Sequence, residues 1–339
     1  MLHQKRLIAP ALCAVGMTVL ILDSKTALLG AQEGLTLCIQ TVIPSLFPFF
    51  VLSGFLTSCL TGAKFPILKP LGKLCGLPQG SEFILAVGLL GGYPVGAQCI
   101  SQLYQRGGLS KKNAGRLLAF CSNAGPSFIF GVCSKFFSFR GAAVSLWIIH
   151  ILSAILVGIL MPDKNSGHID PTTAQNITIM DAFQKALKAM AGVCGWVILF
   201  RVIIAVLDRW IAFWISGNTC VILFGILELT NGCCSLMLIR SESARFVICS
   251  ALLAFGGTCV AMQTAAVVRP LNMGWYFPGK IMQTLFSVAL SMCFLPLFCP
   301  ATVGLAGILT VISTIIFIFI GKKFYKTKNS CSFSVKSCV

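Results

Sequence analysis

Long apolar runs separated by short polar connections set the pattern of this chain. A charged start, His3-Gln4-Lys5-Arg6, precedes an apolar run from Leu7 to Leu22, which reads as a retained first membrane helix rather than a cleaved leader. Ala27 to Gln40 is mildly amphipathic, and Cys38 to Leu60 is apolar, with Pro44 and Pro48 one turn apart and a kink expected there. Lys64, Lys69 and Lys73, interleaved with Pro66, Pro70 and Pro78, mark a loop. Phe83 to Tyr104, Leu117 to Phe130 and Gly141 to Met161 are the next apolar runs, and Pro162 to Thr178 is the most polar stretch of all. Beyond it, Asp181 to Met190 is an amphipathic lead-in to Ala191–Leu207. Cys220–Ile239, Phe246–Val268, Ile281–Phe298 and Thr302–Ile320 complete the set, ending in Lys322, Lys323, Lys326 and Lys328. Several runs approach the ~20 residues a helical span requires, so the pattern predicts an all-α polytopic membrane protein with about 8–10 membrane segments.

Two of these segments interrupt themselves: GLLGGYPVGAQ, from Gly88 to Gln98, and LLAFCSNAGPSFIFG, from Leu117 to Gly131. A basic connection, Arg106 to Arg116, joins them. A helix broken by Gly-Gly-Tyr-Pro or Asn-Ala-Gly-Pro loses backbone hydrogen bonds, and in a membrane that survives only where protein or a wet cavity surrounds the break. Broken helices in corresponding positions of two halves point to a transporter's binding site. The second half supplies counterparts. Leu117-Leu118-Ala119-Phe120 recurs as Leu252-Leu253-Ala254-Phe255, running into Gly256-Gly257-Thr258 and then Gln263, and Gly88–Gly96 is matched by Gly225–Gly232, GILELTNG. The order and spacing predict two related halves with broken or re-entrant helices. They divide the chain into an N-terminal helix (1–26), a first repeat (27–161), a polar linker (162–180), a second repeat (181–300) and a last helix with a basic tail (301–339).

Composition narrows the class. With 57% hydrophobic and only 10% charged residues, and a mean hydropathy of +0.91, the chain does not fit a soluble domain, where about a quarter of residues are charged. The net charge of +17 sits mainly in short connections and at the C-terminus, where cations hold topology and meet anionic headgroups. Its distribution favours a multi-pass membrane protein with both termini cytoplasmic, and no nucleic-acid-binding module is present. The 17 cysteines are scattered, with no CxxC pair and no zinc spacing, and read as small packing residues. Neither a metal nor another cofactor is expected. The dispersed histidines, His3, His150 and His168, give no HExxH and no triad order, and no GxxxxGK[ST] loop occurs, so an enzyme is not expected.

Ionisable residues at membrane depth are functional candidates by default. Arg201 interrupts WVILFRVIIAVL and Glu228 interrupts VILFGILELTNG, and an Arg201–Glu228 ion pair is the first expectation. Such a pair locks two helices together; alternatively, Glu228 binds a coupling cation or a donor group on a solute. The amides Gln98, Asn123, Asn231 and Gln263 fall in or beside the four breaks. They suit recognition of a neutral polar solute, and equally serve as interhelical glue. Gly91, Gly92, Pro94, Gly96, Gly125, Pro126 and Gly257 open the helices toward a cavity or let them pack closely. Tyr93 is placed to stack on a base or to pack, and His150 to relay a proton or to fill a hydrogen-bonded interior position.

The succession PSLFPFFVLSGFL, GGYPVGAQ, LLAFCSNAGPSFIFG, GILELTNG and LLAFGG with a downstream Gln resembles the YlbJ-type sporulation integral membrane proteins. These fall within a wider set of nucleoside-recognition or gate-domain proteins, similar to segments of concentrative nucleoside transporters and of the ferrous-iron permease. The resemblance runs from about Ala27 to Phe298. It implies two gate-type repeats in the cytoplasmic membrane of a spore-forming bacterium and a role in making the spore, with no settled substrate. One departure is that Ser122-Asn123-Ala124-Gly125 stands where the pattern often has Asn-Asn or Asn-Ser before Gly-Pro. The resulting expectation is a transporter or channel-like protein that recognises a small polar solute, nucleoside-like in one version, by alternating access around Gly92, Asn123, Glu228 and Gly257. The alternative is a non-transporting scaffold for spore-envelope assembly. The partners implied are the lipid bilayer, the solute, and a second copy or other sporulation membrane proteins.

Overall fold

A computed structural model of the chain describes residues 2–60, 66–161, 178–211, 214–215 and 217–295, and every element among them is helical. The run Thr302–Ile320, the basic tail and most of the polar linker lie outside the described residues. Among the described residues, four stretches are long and apolar enough to cross a membrane: Ser24–Leu56, Ala142–Leu160, Ile179–Ile211 and Glu242–Val267.

The N-terminal part holds α1 (Leu2–Leu22), α2 (Ser24–Leu37) and α3 (Ile43–Leu60), the last two joined by a π turn at Cys38–Val42. The expected segments 27–40 and 38–60 therefore form nearly one helix, and Pro44 explains the joint. Proline has no N–H for the carbonyl of Gln40, so the helix widens one turn and the Ile43 N–H bonds Cys38 O five residues back.

Against α2 and α3 lies the longest helix among the described residues, α10 (Ile179–Ile211), 33 residues and roughly 50 Å at 1.5 Å per residue. It absorbs both the amphipathic lead-in and the apolar run that follows. Gly30 and Gly34 of α2 let the two backbones meet: a Cβ on Gly30 would stand 2.8 Å from Ala205 Cβ, and one on Gly34 2.9 Å from Ile198 Cα. This is small-xxx-small packing, which replaces the hydrophobic drive that lipid cannot supply. Arg201 forms an ion pair with Glu33 across the same seam, and Arg209 lies 3.4 Å from Asp23 and donates to Thr26 Oγ1 at 3.0 Å.

Between these come α4 (Lys69–Leu74), α5 (Phe83–Leu90), α6 (Val95–Gln105), α7 (Lys111–Leu118), α8 (Pro126–Gly131), a 3-10 turn at Cys133–Phe136, and α9 (Ala142–Leu160). Ser110 caps α7 by accepting the Asn113 N–H at 3.2 Å. The end of the basic connection is thus a helix rather than a surface loop. Its Arg116 is buried, donating at 2.7 Å to the carbonyls of Cys75 and Met161, which end α4 and α9, and also to Gly76 O. A guanidinium at two helix C-termini meets carbonyls that have no partner within their own helices.

The remainder comprises α11 (Gly217–Leu227), α12 (Leu229–Cys234), a 3-10 turn at Ser235–Leu238, α13 (Glu242–Phe255), α14 (Gly257–Val267) and α15 (Tyr276–Phe294). Helices α9, α13 and α15 form one packed group, with the Ser250 and Ser287 hydroxyls 2.6 Å apart. Glu242 accepts from Ser138 N at 2.6 Å and Arg245 donates to Phe136 O at 2.7 Å, tying the loop before α9 to the start of α13. The exposed sides of α2, the π turn, α3 and α10 carry Leu28, Leu35, Ile39, Leu52 and Leu199, an apolar surface suited to lipid.

Candidate functional site

The four helix breaks touch one another. In the first, between α5 and α6, Gly92 takes a left-handed conformation (φ +79°) and the Tyr93–Pro94 peptide is cis. A Cβ on either Gly88 or Gly96 would collide with the carbonyl oxygen of Cys121, so the chain leaving α7 lies in a notch cut by two glycines. The second break, Ala119 to Gly125, has the Asn123 amide donating to Phe120 O at 2.7 Å and the Ala124 N–H donating to His150 Nε2 at 3.0 Å. His150 is thus a hydrogen-bonded interior residue at the back of this break. Gly125 rests on Gly92, 3.0 Å from its Cα to an ideal Cβ.

The other two breaks lie in the second half of the chain. At the third break, between α11 and α12, a Cβ on Gly232 would collide with Gly225 Cα. Glu228 caps the short α12, accepting from Thr230 N at 3.1 Å, Asn231 N at 2.7 Å and Asn231 Nδ2 at 2.9 Å. The fourth break, Gly256 between α13 and α14, leans on the third: a Cβ on Gly257 would be 3.2 Å from Gly225 O and from Leu229 N, and Thr258 Oγ1 donates to Ile226 O at 3.1 Å.

Tyr93 joins the two sets. Its ring lies against Gly256, and its hydroxyl donates to Leu253 O at 3.3 Å. Tyr93, Gly125, Glu228 and Gln263 line one cavity of about 40 Å³, with Leu46, Val197 and Val260 among its apolar walls. Gln263 donates to Cys259 Sγ at 3.3 Å within α14.

The other candidates fall elsewhere. Gln98 lines a space between α6, α3 and α10 beside Lys185. Asn231 shares a cavity of about 290 Å³ with Arg201 and Asp208. The expected Arg201–Glu228 pair is replaced by two separate arrangements: Arg201 pairs with Glu33 of α2, and Glu228 is occupied by the N–H groups of its own helix. The physical reason is reach within the packing, since Arg201 lies on the α10 face that seats Gly34, as a Cβ there would come 3.3 Å from Arg201 Cβ.

Two central residues escaped the sequence reading. Lys280 of α15 is wholly buried, its Nζ donating to the Ser122 carbonyl, to Gln283 Oε1 at 2.8 Å and to Tyr93 Oη at 3.1 Å. Gln283 in turn donates to Asn123 Oδ1 at 2.9 Å. The signal was present in the spacing: Lys280, Gln283, Ser287 and Ser291 make a polar stripe at helical intervals, and all four are buried. A third convergence hidden from sequence spacing is that of Cys133, Cys233 and Cys249, whose sulfurs lie within 4.8 Å of one another in an apolar part of the core.

No protein-family profile and no solved structure matches the chain. Among curated proteins it is similar to the sporulation integral membrane protein YlbJ of Bacillus subtilis (strain 168), with 24% identity over 315 residues, covering 78% of this chain and 76% of the relative. The chain is thus a polytopic, all-helical membrane protein distantly related to a sporulation membrane protein.

Proposed function

We propose that this protein serves spore formation by recognising and passing a small polar solute, with alternating access around the four helix breaks. The observation that carries the reading is the meeting of all four breaks around Tyr93, next to a cavity that Tyr93 lines together with the polar residues Glu228, Thr230 and Gln263. Irregular backbone inside a membrane needs protein or a wet cavity around it, and carriers place their sites at such breaks. A two-repeat, gate-type origin is supported by the parallel contacts, Gly88 with Gly96 and Gly225 with Gly232, and the later break of each half resting on the earlier one.

The cavity volume sets the state. About 40 Å³ holds a water or two, far below the roughly 300–1,000 Å³ of small-molecule pockets. We read the conformation as closed, with a nucleoside-sized solute admitted only when the breaks separate. The test is complementation of a spore-defective strain lacking the relative, using Glu228→Gln, Asn123→Ala and Gln263→Ala at matched membrane abundance. Loss of mature spores is the expected result. Full rescue by all three sinks the central-site reading and favours a scaffold in envelope assembly.

A further inference from the structure

Lys280 has the surroundings of an ion in a binding site. Four neutral oxygens face its ammonium: Ser122 O, Gln283 Oε1, Tyr93 Oη and, at 3.5 Å, Asn123 Oδ1. It also lies 5.0 Å from the ring centre of Tyr93 and 5.9 Å from that of Tyr276. Ser122 O belongs to the unwound stretch after α7, so the ammonium takes the place that a monovalent cation would have against a carbonyl freed by a break. Among the described residues no carboxylate stands within ion-pair distance of it. The titratable groups around it are Tyr93 from the first break, Cys121 beyond α7, His150 from α9, and Tyr276 on its own helix. Helix α13 meets α15 through the Ser250 hydroxyl and carries its charged pair, Glu242 and Arg245, in its first turn, bound to Ser138 and Phe136. From α7, Arg116 is committed to Cys75, Gly76 and Met161.

We propose that the ion coupled to this site is the proton, and that Lys280 carries it. The proposal rests on the solute-passage reading above and names its coupling ion. With the proton on, the ammonium ties α15 to the second break through Ser122 and Asn123, and to the first break through Tyr93, holding the site shut. When the proton passes from the ammonium to a water molecule reaching the cage, a neutral amine and a hydronium ion result. The charge-assisted bonds to Ser122 O and Gln283 become ordinary ones, roughly half as strong, and the breaks are released. A carboxylate partner would fix the charge in place; dipoles and ring faces do not. Ser122 Oγ, buried beside the second break without a hydrogen-bond partner among the described residues, is the next group able to accept or pass a proton, whereas His150, whose Nε2 accepts the Ala124 N–H, already carries its hydrogen on Nδ1. A sodium or potassium ion has no place here, because the oxygens that would hold it are already engaged.

The test is hydrogen–deuterium exchange of the full chain in lipid nanodiscs, read at the amides of residues 91–93, 95 and 122–125 between pH 6 and 9.5. Rates are corrected for the intrinsic pH dependence of exchange. Protection in the parent protein is expected to fall roughly tenfold across the range, to persist throughout in Lys280→Arg and to be low throughout in Lys280→Met. One profile shared by all three, or constant protection in the parent, overturns the proposal. If neither Lys280 variant folds, Gln283→Glu decides: a carboxylate beside the amine should keep the breaks protected to the top of the range, and a profile like the parent's overturns the proposal. The two readings fail separately. Exchange that follows Lys280 while Glu228→Gln, Asn123→Ala and Gln263→Ala all rescue sporulation leaves the proton site standing and removes solute passage; the reverse pattern keeps solute passage and removes the proton.

Discussion

The hydroxyl of Tyr93 lies 3.0 Å from the point where a Cβ on Gly256 would sit, so the first break and the fourth fit together only because residue 256 has no side chain. Gly256 also holds φ +82°, where any other residue is strained. Gly256→Ala is therefore expected to cost about 1–3 kcal/mol through overpacking and strain together. Tyr93→Phe keeps the ring and removes only the bonds to Leu253 O and Lys280, for a loss of about 1 kcal/mol. Thermal unfolding in detergent separates the two, and equal losses would contradict the fit.

Gly96→Ala should be far worse than an ordinary helix substitution, because the added carbon meets the Cys121 backbone rather than a flexible side chain. A loss of about 3 kcal/mol or more is expected. Gly195→Ala in α10 meets nothing within 4 Å and should gain up to about 1 kcal/mol from helix propensity. Yield and melting temperature of the two variants, measured side by side, check both signs.

Glu228→Gln turns an amide donor toward three N–H groups or leaves one acceptor to serve them all. The expected loss is about 1–3 kcal/mol. Since Arg201 is engaged with Glu33, a double-mutant cycle between positions 201 and 228 should show no coupling, and one between 201 and 33 should show about 0.5–2 kcal/mol. Coupling in the first cycle and none in the second would reverse this assignment.

Arg116→Ala leaves the carbonyls of Cys75, Gly76 and Met161 without their donor in the interior, a loss on the order of 3 kcal/mol. Lys at 116 presents one donor centre instead of a fork and should recover only part of it. Steady-state membrane abundance reports the ranking: parent, then Lys, then Ala.

How much of this was written in the residues depends on the kind of signal. The places where helices stop were legible, because Gly-Gly-Tyr-Pro and Asn-Ala-Gly-Pro break a helix whatever surrounds them. Pro44 was legible as a disturbance, though its outcome, a π turn in an otherwise continuous helix, needed the backbone. The partner of Arg201 was not legible, since apolar runs on both helices leave rotation about their axes undetermined and Glu33 lies far away in sequence. Lys280 was missed for a sound physical reason. A lysine at the edge of an apolar run ordinarily extends to the membrane surface. Here Gly279 packs on Ala119, α15 is drawn against the second break, and the side chain has only the interior to enter.

The seam between α2 and α10 bears on how the protein is made. Glu33 and Arg201 stand 168 residues apart, so at 5–20 residues per second the carboxylate waits roughly 10–30 s for its partner to leave the ribosome. During that interval α2 carries a notch of bare backbone at Gly30 and Gly34 and an unmatched acidic side chain. The seam is thus completed only when α10 arrives, and until then α2 lacks the packing at Gly30 and Gly34 and the ion pair that the finished protein gives it.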